Sequence, residues 1–543
     1  MRICTTEKNK KILRHTAVLL FWTGLWQLLA MLIDNRLLLP SVADTLKTLA
    51  GLAGEGEFYL NMGWTFLRCV LSMALSFAAG TAAAWLAYHF EAARSFLTLP
   101  VGFFKAVPVM AVIIYVILLA EADWVAVVVC FLMCFPVVYT NVLSGLDSMD
   151  RELLELVQVY ELTAFQKIKY IYFPGIMPQL KAAVKLIAGL SWKAVVAAEV
   201  LSIPKYSLGY EMINAKYYLE TATLFSYIIV IVALSIAMEK LIDCGLKRWG
   251  FKAYEGSRLI KTDKRMAEAV AVNKPFADVS DKYRDASGEC RDVSEKCIDA
   301  SGEYRGFLDF ERPAGVLLRG LYKSFGKKIV LEDMNMEFKA GEVTALTGRS
   351  GRGKTTLARI IAGLEKADRG YVSAVYASGC ESFSAAGGET GEKVNTIRTG
   401  ETAKAGGAGN IDGKAKISYL FQEDRLIPWL NVFDNIAVST MRDGGAPEVK
   451  IKAMAEALEI SDSLWKLPEE LSGGMRHRTA LGRTFIADSE LMILDEPFRG
   501  LDEKLKIRIA DRLWKSATSG KTVIMITHSK EDAETLSDRI IEQ

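Results

Sequence analysis

Six mostly apolar stretches, each close to the length of a bilayer-spanning helix, lie before residue 250: 17–33, 67–87, 96–119, 125–143, 182–201 and 224–244. A helix needs about 20 such residues to cross the hydrocarbon core of a membrane. Residues 15–250 therefore read as an all-α domain of six transmembrane helices in a lipid bilayer. Residues 1–14 read as a basic tail. Lys8, Lys10, Lys11 and Arg14 precede the first stretch, and Lys247, Arg248 and Lys252 follow the last. Positive charge collects on the cytoplasmic side, so both ends are expected there, which agrees with an even number of spans. The N-terminus lacks a small-residue cleavage site and reads as an uncleaved first span.

The chain has 543 residues, 51% of them hydrophobic, with that excess concentrated in the first half. A formal net charge of +2 gives no general attraction to nucleic acid, and no nucleic-acid partner is expected. The eight cysteines show no metal-ligand spacing and read as reduced thiols. Residues 251–314 are polar and charged, with a short echo between 283–289 and 298–304. They lack the apolar residues of a core and read as a flexible linker.

The second half carries a different signal. Gly348-Arg349-Ser350-Gly351-Arg352-Gly353-Lys354-Thr355 fits G-x-x-x-x-G-K-[ST], and Thr356 follows. Glycines let backbone N–H groups close around phosphates, Lys354 reaches the β/γ-phosphates, and the Thr355 hydroxyl is placed to ligate Mg²⁺. The apolar residues 343–346 precede the loop and a helix-like stretch follows it, so a helix N-terminus would face the anion. ATP and Mg²⁺ are the expected ligands, on an α/β P-loop NTPase domain spanning 315–543. Residues 491–494 and 523–526 read as buried parallel strands. Residues 316–325 and 330–338 read as an antiparallel edge sheet.

Further motifs follow the phosphate loop in the order of one ATPase. They are Tyr419-Leu420-Phe421-Gln422-Glu423, Leu471-Ser472-Gly473-Gly474-Met475-Arg476, Asp495-Glu496, Gly500-Leu501-Asp502 and Thr527-His528. The set resembles the ATP-binding-cassette (ABC) ATPases. The resemblance implies roles for these residues. Phe325 would stack on adenine. Gln422 would ligate Mg²⁺ or orient water. Ser472, Gly473 and Gly474 would face the γ-phosphate held by a partner ATPase. Asp495 would hold Mg²⁺, Glu496 would be the base that polarises water, Asp502 would lie at the dimer seam, and His528 would contact the γ-phosphate. Met475 and His477 stand where glutamine is commoner. Between Val372 and Ile417 the chain has few apolar residues, and about 373–416 reads as a disordered surface insertion.

The loop 144–181 of the first half resembles the coupling loop of ABC-importer permeases, E-A-A-x3-G-x9-I-x-L-P. Glu155, Ile171 and Pro174 match, whereas Leu156 and Val157 replace the alanines and Glu161 replaces the glycine. A glycine at such a position often serves a positive φ. Leu153, Leu154, Leu156 and Val157 give a short helix an apolar surface for docking. Lys193 and Glu199 are charges in or near a span and candidates for function, Lys105 more weakly so. Trp192-Lys193, Ala198-Glu199 and Leu208-Gly209-Tyr210 resemble the nitrate/sulfonate/taurine branch. The resemblance implies a fused permease–ATPase that imports a small solute. It would work as a homodimer in the cytoplasmic membrane with a separate extracytoplasmic binding protein. Two other readings remain open from sequence: an ABC exporter, and a membrane-tethered ATPase acting as a transmitter without cargo.

Overall fold

The computed structural model describes residues 2–35, 37–255, 313–349, 351–376, 394–397, 415–443 and 448–543. Ser350, the linker echo and most of the expected insertion lie outside them. The chain divides into two compact units. One comprises Met1–Met149 and Gly175–Lys252, the other Asp150–Pro174 and Ala253–Gln543.

The first unit is helical. Among the described residues, four helices are long and apolar enough to cross a membrane by themselves: Thr16–Ile33, Gly56–His89, Ala122–Asp147 and Thr221–Leu246. The stretch expected as a third span is a pair of helices, Glu91–Ala106 and Val109–Ile117, bent by 103°. Pro108 explains the break. It lacks an N–H for the helix ladder and disfavours helical backbone at the residue before it. Val107 is accordingly extended, at φ −72° and ψ 131°.

The fifth expected stretch lies inside a 26-residue helix, Met177–Ser202. At 1.5 Å per residue that is about 39 Å, enough to cross. Its charges, Lys181, Lys185, Lys193 and Glu199, keep it below the apolarity of the other four. Glu199 is fully buried and is neutralised from the neighbouring helix Gly56–His89. Arg68 Nη1 donates to Glu199 Oε1 at 3.0 Å and to Tyr206 O at 2.7 Å, while Arg68 Nη2 reaches Asp123 at 2.9 Å. Thr65 and the Gly209 N–H donate to Glu199 Oε2. Gly209 admits this approach because a Cβ there would lie 2.5 Å from Glu199 Cβ. Lys193 and Lys105, by contrast, are exposed.

A buried carboxylate left without its cation costs far more than the pair contributes. Arg68→Ala is therefore expected to destabilise the solubilised chain by roughly 3–5 kcal/mol, read as a fall in its thermal unfolding midpoint. An unchanged midpoint would mean that Glu199 is neutralised by other means.

The second unit is α/β. Strand β1 (Ala314–Phe325) pairs antiparallel with β2 (Lys328–Phe338). The parallel sheet contains β3 (Val343–Thr347), β6 (Ile417–Leu420), β7 (Leu491–Asp495), β8 (Thr522–Ile526) and β9 (Arg539–Glu542), in the order β6-β7-β8-β3-β9. Every residue of β7 and β8 is buried, as their continuous apolar runs require. The expected disordered insertion is corrected at its near end and in its middle. There β4 (Arg369–Tyr376) and β5 (Val394–Ile397) pair antiparallel and extend the first sheet to the order β2-β1-β4-β5. The physical reason is the free edge of β1, against which Val372 and Ala374 are buried.

Candidate nucleotide site and its coupling segment

Four of the motifs gather because each lies at the C-terminal end of a strand in the parallel sheet. In open α/β sheets, ligands bind at that edge. The phosphate loop follows β3, Gln422 follows β6, Asp495 ends β7, and His528 comes after β8. Gly348, Gly351 and Gly353 have φ of 136°, 82° and 93°, a region closed to most side chains. At Gly353 a Cβ would also lie 2.8 Å from Val330. Gly353 is the N-cap of the helix Lys354–Ile361. The Lys354 ammonium donates to Gly348 O at 2.8 Å and Arg349 O at 2.9 Å, bracing the loop. Burial lowers its pKa, opposed by the charges of Asp495 and Glu496. Arg352 and Thr356 flank this turn, with the Arg352 carbonyl accepting from the Gln543 amide at 3.0 Å.

Asp495 is buried, and burial pushes its carboxyl up to about 6. Thr355 opposes that rise, and among the described residues Asp495 Oδ2 has no hydrogen-bond partner. An unpartnered, buried carboxylate oxygen beside a hydroxyl is a donor set that suits a hard divalent cation. Gln422, the third expected ligand, is exposed on the loop after β6.

Glu496 has φ +54°, a strained conformation for a glutamate. Its N–H donates to Ile526 O at 2.9 Å, and His528 Nε2 lies 3.3 Å from its Oε1. The structure thus brings the expected base and the expected histidine together. Phe325 is half exposed at the end of β1, with the Lys323 ammonium 4.9 Å from its ring. Ser472 caps the helix Gly473–Ile486 by accepting from the Met475 N–H, which leaves its own proton free to donate. Gly473 follows it in an exposed first turn with Gly474 partly covered, and Asp502 caps the helix Glu503–Ile509 in the same way as Ser472.

The segment Asp150–Pro174 packs in this same unit. Its helix Arg151–Val159 buries Leu153, Leu156 and Val157 of the expected apolar face, and Val159 besides, while Leu154 is only partly covered. Glu161 keeps the turn geometry that a glycine would give, at φ +46°. Sequence reading missed what holds the segment. Glu155 receives Arg359 at 2.7 and 2.9 Å and Arg425 at 2.5 Å. Burial alone would raise its pKa; the two guanidinium groups outweigh that and hold it below the usual value. Gln158 donates to Gly363 O at 3.1 Å, and Trp429 Nε1 to Tyr170 O at 2.7 Å. Single arginines in loops and on helices carry no pattern that would have singled them out.

Residues 331–499 match the ABC transporter family model. Residues 72–244 match the model for a binding-protein-dependent transport system inner membrane component. The chain is similar to the aliphatic sulfonates import ATP-binding protein SsuB of Corynebacterium glutamicum, 34% identical over 42% of this chain and 80% of that protein. A similar protein from Pseudomonas aeruginosa, aliphatic sulfonates import ATP-binding protein SsuB 2, is 30% identical over 42% of this chain and 72% of its own length. The trehalose/maltose import ATP-binding protein MalK of Thermococcus litoralis is 35% identical, over 42% of this chain and 56% of that protein. The dimeric structure of a bacterial ABC transporter cassette aligns at 25% identity and TM-score 0.33, over 42% of this chain and 93% of that one.

The chain therefore belongs to the ABC transporters. It is an ABC importer-type, ATP-hydrolysing cassette joined to a membrane permease domain in one polypeptide.

Proposed function

We propose that this chain imports a small anion of the nitrate, sulfonate or taurine type across the cytoplasmic membrane, as a homodimer fed by a separate extracytoplasmic binding protein. The observation that carries the importer reading is the Glu155 ion-pair cluster. It ties a segment that emerges from the permease sequence to the phosphate-loop helix through Arg359 and to the Gln422 loop through Arg425. The anion class rests on the sulfonate importers among the relatives and on the permease residues 192–210. Neither the exporter nor the cargo-free transmitter has a specific observation in its favour.

In this reading Lys354 and the loop N–H groups bind the β- and γ-phosphates of ATP, and Phe325 stacks on the adenine. The residues present suit Mg²⁺: Thr355, Gln422 and Asp495 would hold it. When bound, it neutralises charge on the phosphates, as in other P-loop NTPases. Glu496 polarises the attacking water, and His528 holds Glu496 and contacts the γ-phosphate. Ser472, Gly473 and Gly474 of one chain complete the site of its partner, with Asp502 at the seam. Arg359 and Arg425 respond to the presence of nucleotide through the elements they belong to. Their shared partner Glu155 carries that movement toward the permease, whose termini lie in the cytoplasm.

The test is ATP hydrolysis by the purified full chain in liposomes, with sulfonate-, taurine- and nitrate-loaded binding proteins supplied in turn. One of them is expected to stimulate hydrolysis in the wild type and not in Glu496→Gln. Glu496-dependent hydrolysis indifferent to all three would contradict the anion-import reading.

A further inference from the structure

His477 occupies a position where the ABC pattern commonly has glutamine, and the structure surrounds its ring with acceptors. Nδ1 lies 2.9 Å from Asp424 Oδ1, and Nε2 lies 2.9 Å from Pro497 O. A backbone carbonyl and an ionised carboxylate accept hydrogen bonds and cannot donate them. A neutral imidazole has one N–H and one lone pair, so either tautomer would turn a lone pair toward an acceptor. Only the imidazolium donates to both. The ring is 5% exposed, so water does not readily replace a lost partner.

The ring also sits at a junction. It projects from the helix Gly473–Ile486, whose first turn carries the Ser-Gly-Gly motif. Asp424 lies two residues beyond Gln422, and Pro497 directly follows Glu496. Further along the same helix, Arg483 donates to Arg425 O at 2.9 Å and to Asp424 O at 3.1 Å. The helix therefore grips the Asp424–Arg425 segment by side chain and by backbone, and Arg425 in turn holds Glu155. The Nε2 bond to Pro497 ties this assembly to the segment bearing Glu496. The cavity beside the ring, about 550 Å³, is charged on both sides. Carboxylates come from Asp150, Glu152, Glu423 and Asp424, and guanidinium groups from Arg425, Arg476 and Arg499. A protonated imidazole between Asp424 and a carbonyl fits that balance.

We propose that His477 is a positioning residue that works as an imidazolium, locking the Glu496 segment to the Gln422 loop, so that ATP turnover depends on its protonation. The inference rests on the reading of Glu496 as the base. Loss of the proton breaks one of the two bonds and loosens the base relative to the loop, without touching the groups that bind ATP. Turnover should fall while nucleotide affinity changes little.

The experiment is kcat and KM for MgATP between about pH 5.5 and 8.5, using the full chain in liposomes. Wild type is compared with His477→Gln, which keeps a donor and an acceptor but does not titrate. Wild-type kcat is expected to fall about three- to tenfold as the imidazolium is lost, the scale of one buried hydrogen bond, with a smaller change in KM. His477→Gln should lose that limb of the profile. The same limb in both proteins would overturn the proposal. His528→Gln, run in parallel, removes any limb that belongs to the other histidine near Glu496. Glu496→Gln as active as wild type would instead sink the reading of the base, whatever the pH profile. A second readout needs no activity. The chain has four histidines, so ¹⁵N-histidine spectra with His15, His89 and His528 replaced by glutamine isolate His477. Two protonated ring nitrogens at the pH of full activity are expected; a single neutral tautomer would overturn the proposal.

Discussion

Glu496→Gln is expected to slow ATP hydrolysis by the full chain by about 10²–10⁴-fold while ATP still binds, the range for loss of a general base. The expectation follows from how the side chain is held. Its backbone sits at φ +54° and is pinned by the bond to Ile526 O, so the carboxylate leaves the end of β7 in a fixed direction. His528 Nε2 meets it at 3.3 Å. Glutamine preserves the shape and the backbone conformation but cannot take up a proton. The Lys354 ammonium is held by the Gly348 and Arg349 carbonyls rather than by Glu496. Nucleotide affinity measured by equilibrium binding should therefore stay close to wild type. A variant that hydrolyses ATP at more than about a tenth of the wild-type rate would place the base elsewhere.

Glu155→Ala is expected to uncouple the two halves. One carboxylate receives two guanidinium groups, and the Arg425 side chain is buried at 8% exposure. Removing the carboxylate takes away the nearest partner of Arg425 and leaves it the longer pairs to Glu423 at 3.3 Å and Glu152 at 3.8 Å. The cost is set at about 2–3 kcal/mol, toward the lower end for a buried pair, because the Glu155 side chain is 26% exposed. Basal hydrolysis should persist, while stimulation by binding protein and transport fall by about tenfold or more. Glu155→Gln, which keeps hydrogen-bonding atoms, should lose less. Because the folded pKa of Glu155 is lowered, the stability it contributes is complete at neutral pH. It is lost only as pH falls below the ordinary glutamate range, through the folded pKa. Coupling as strong as wild type in Glu155→Ala would show that the apolar face of Leu153, Leu156 and Val157 suffices for transmission.

The sequence made the nucleotide site legible because its chemistry is carried by short contiguous motifs. A glycine loop between strand and helix has few other uses, and the buried runs of β7 and β8 announce parallel strands ending in Asp495 and near His528. Contacts between distant segments could not be read that way. Arg68 is a single charge in an otherwise apolar span, a signal that sequence reading passed over while attending to Glu199. Its partnership with Glu199 spans 131 positions. The role of Arg359 and Arg425 was not legible locally, since it lies in Glu155, more than 200 residues away. The helix break at Pro108 was visible in composition but was subsumed in a long apolar stretch. At Glu161 the replacement of glycine put the turn geometry in question, and the structure keeps a positive φ there on a strained glutamate. The pairing of β5 with β4 was hidden because strand edges leave little trace in a stretch of glycine, serine and alanine.

The most direct test of the account is uptake. Liposomes carrying the full chain and enclosed ATP would be supplied outside with a binding protein and labelled taurine, a sulfonate or nitrate. The account predicts ATP-dependent accumulation of one of these anions, absent in Glu496→Gln and reduced about tenfold or more in Glu155→Ala. Vigorous Glu496-dependent hydrolysis without accumulation of any of the three, across the binding proteins supplied, would contradict it.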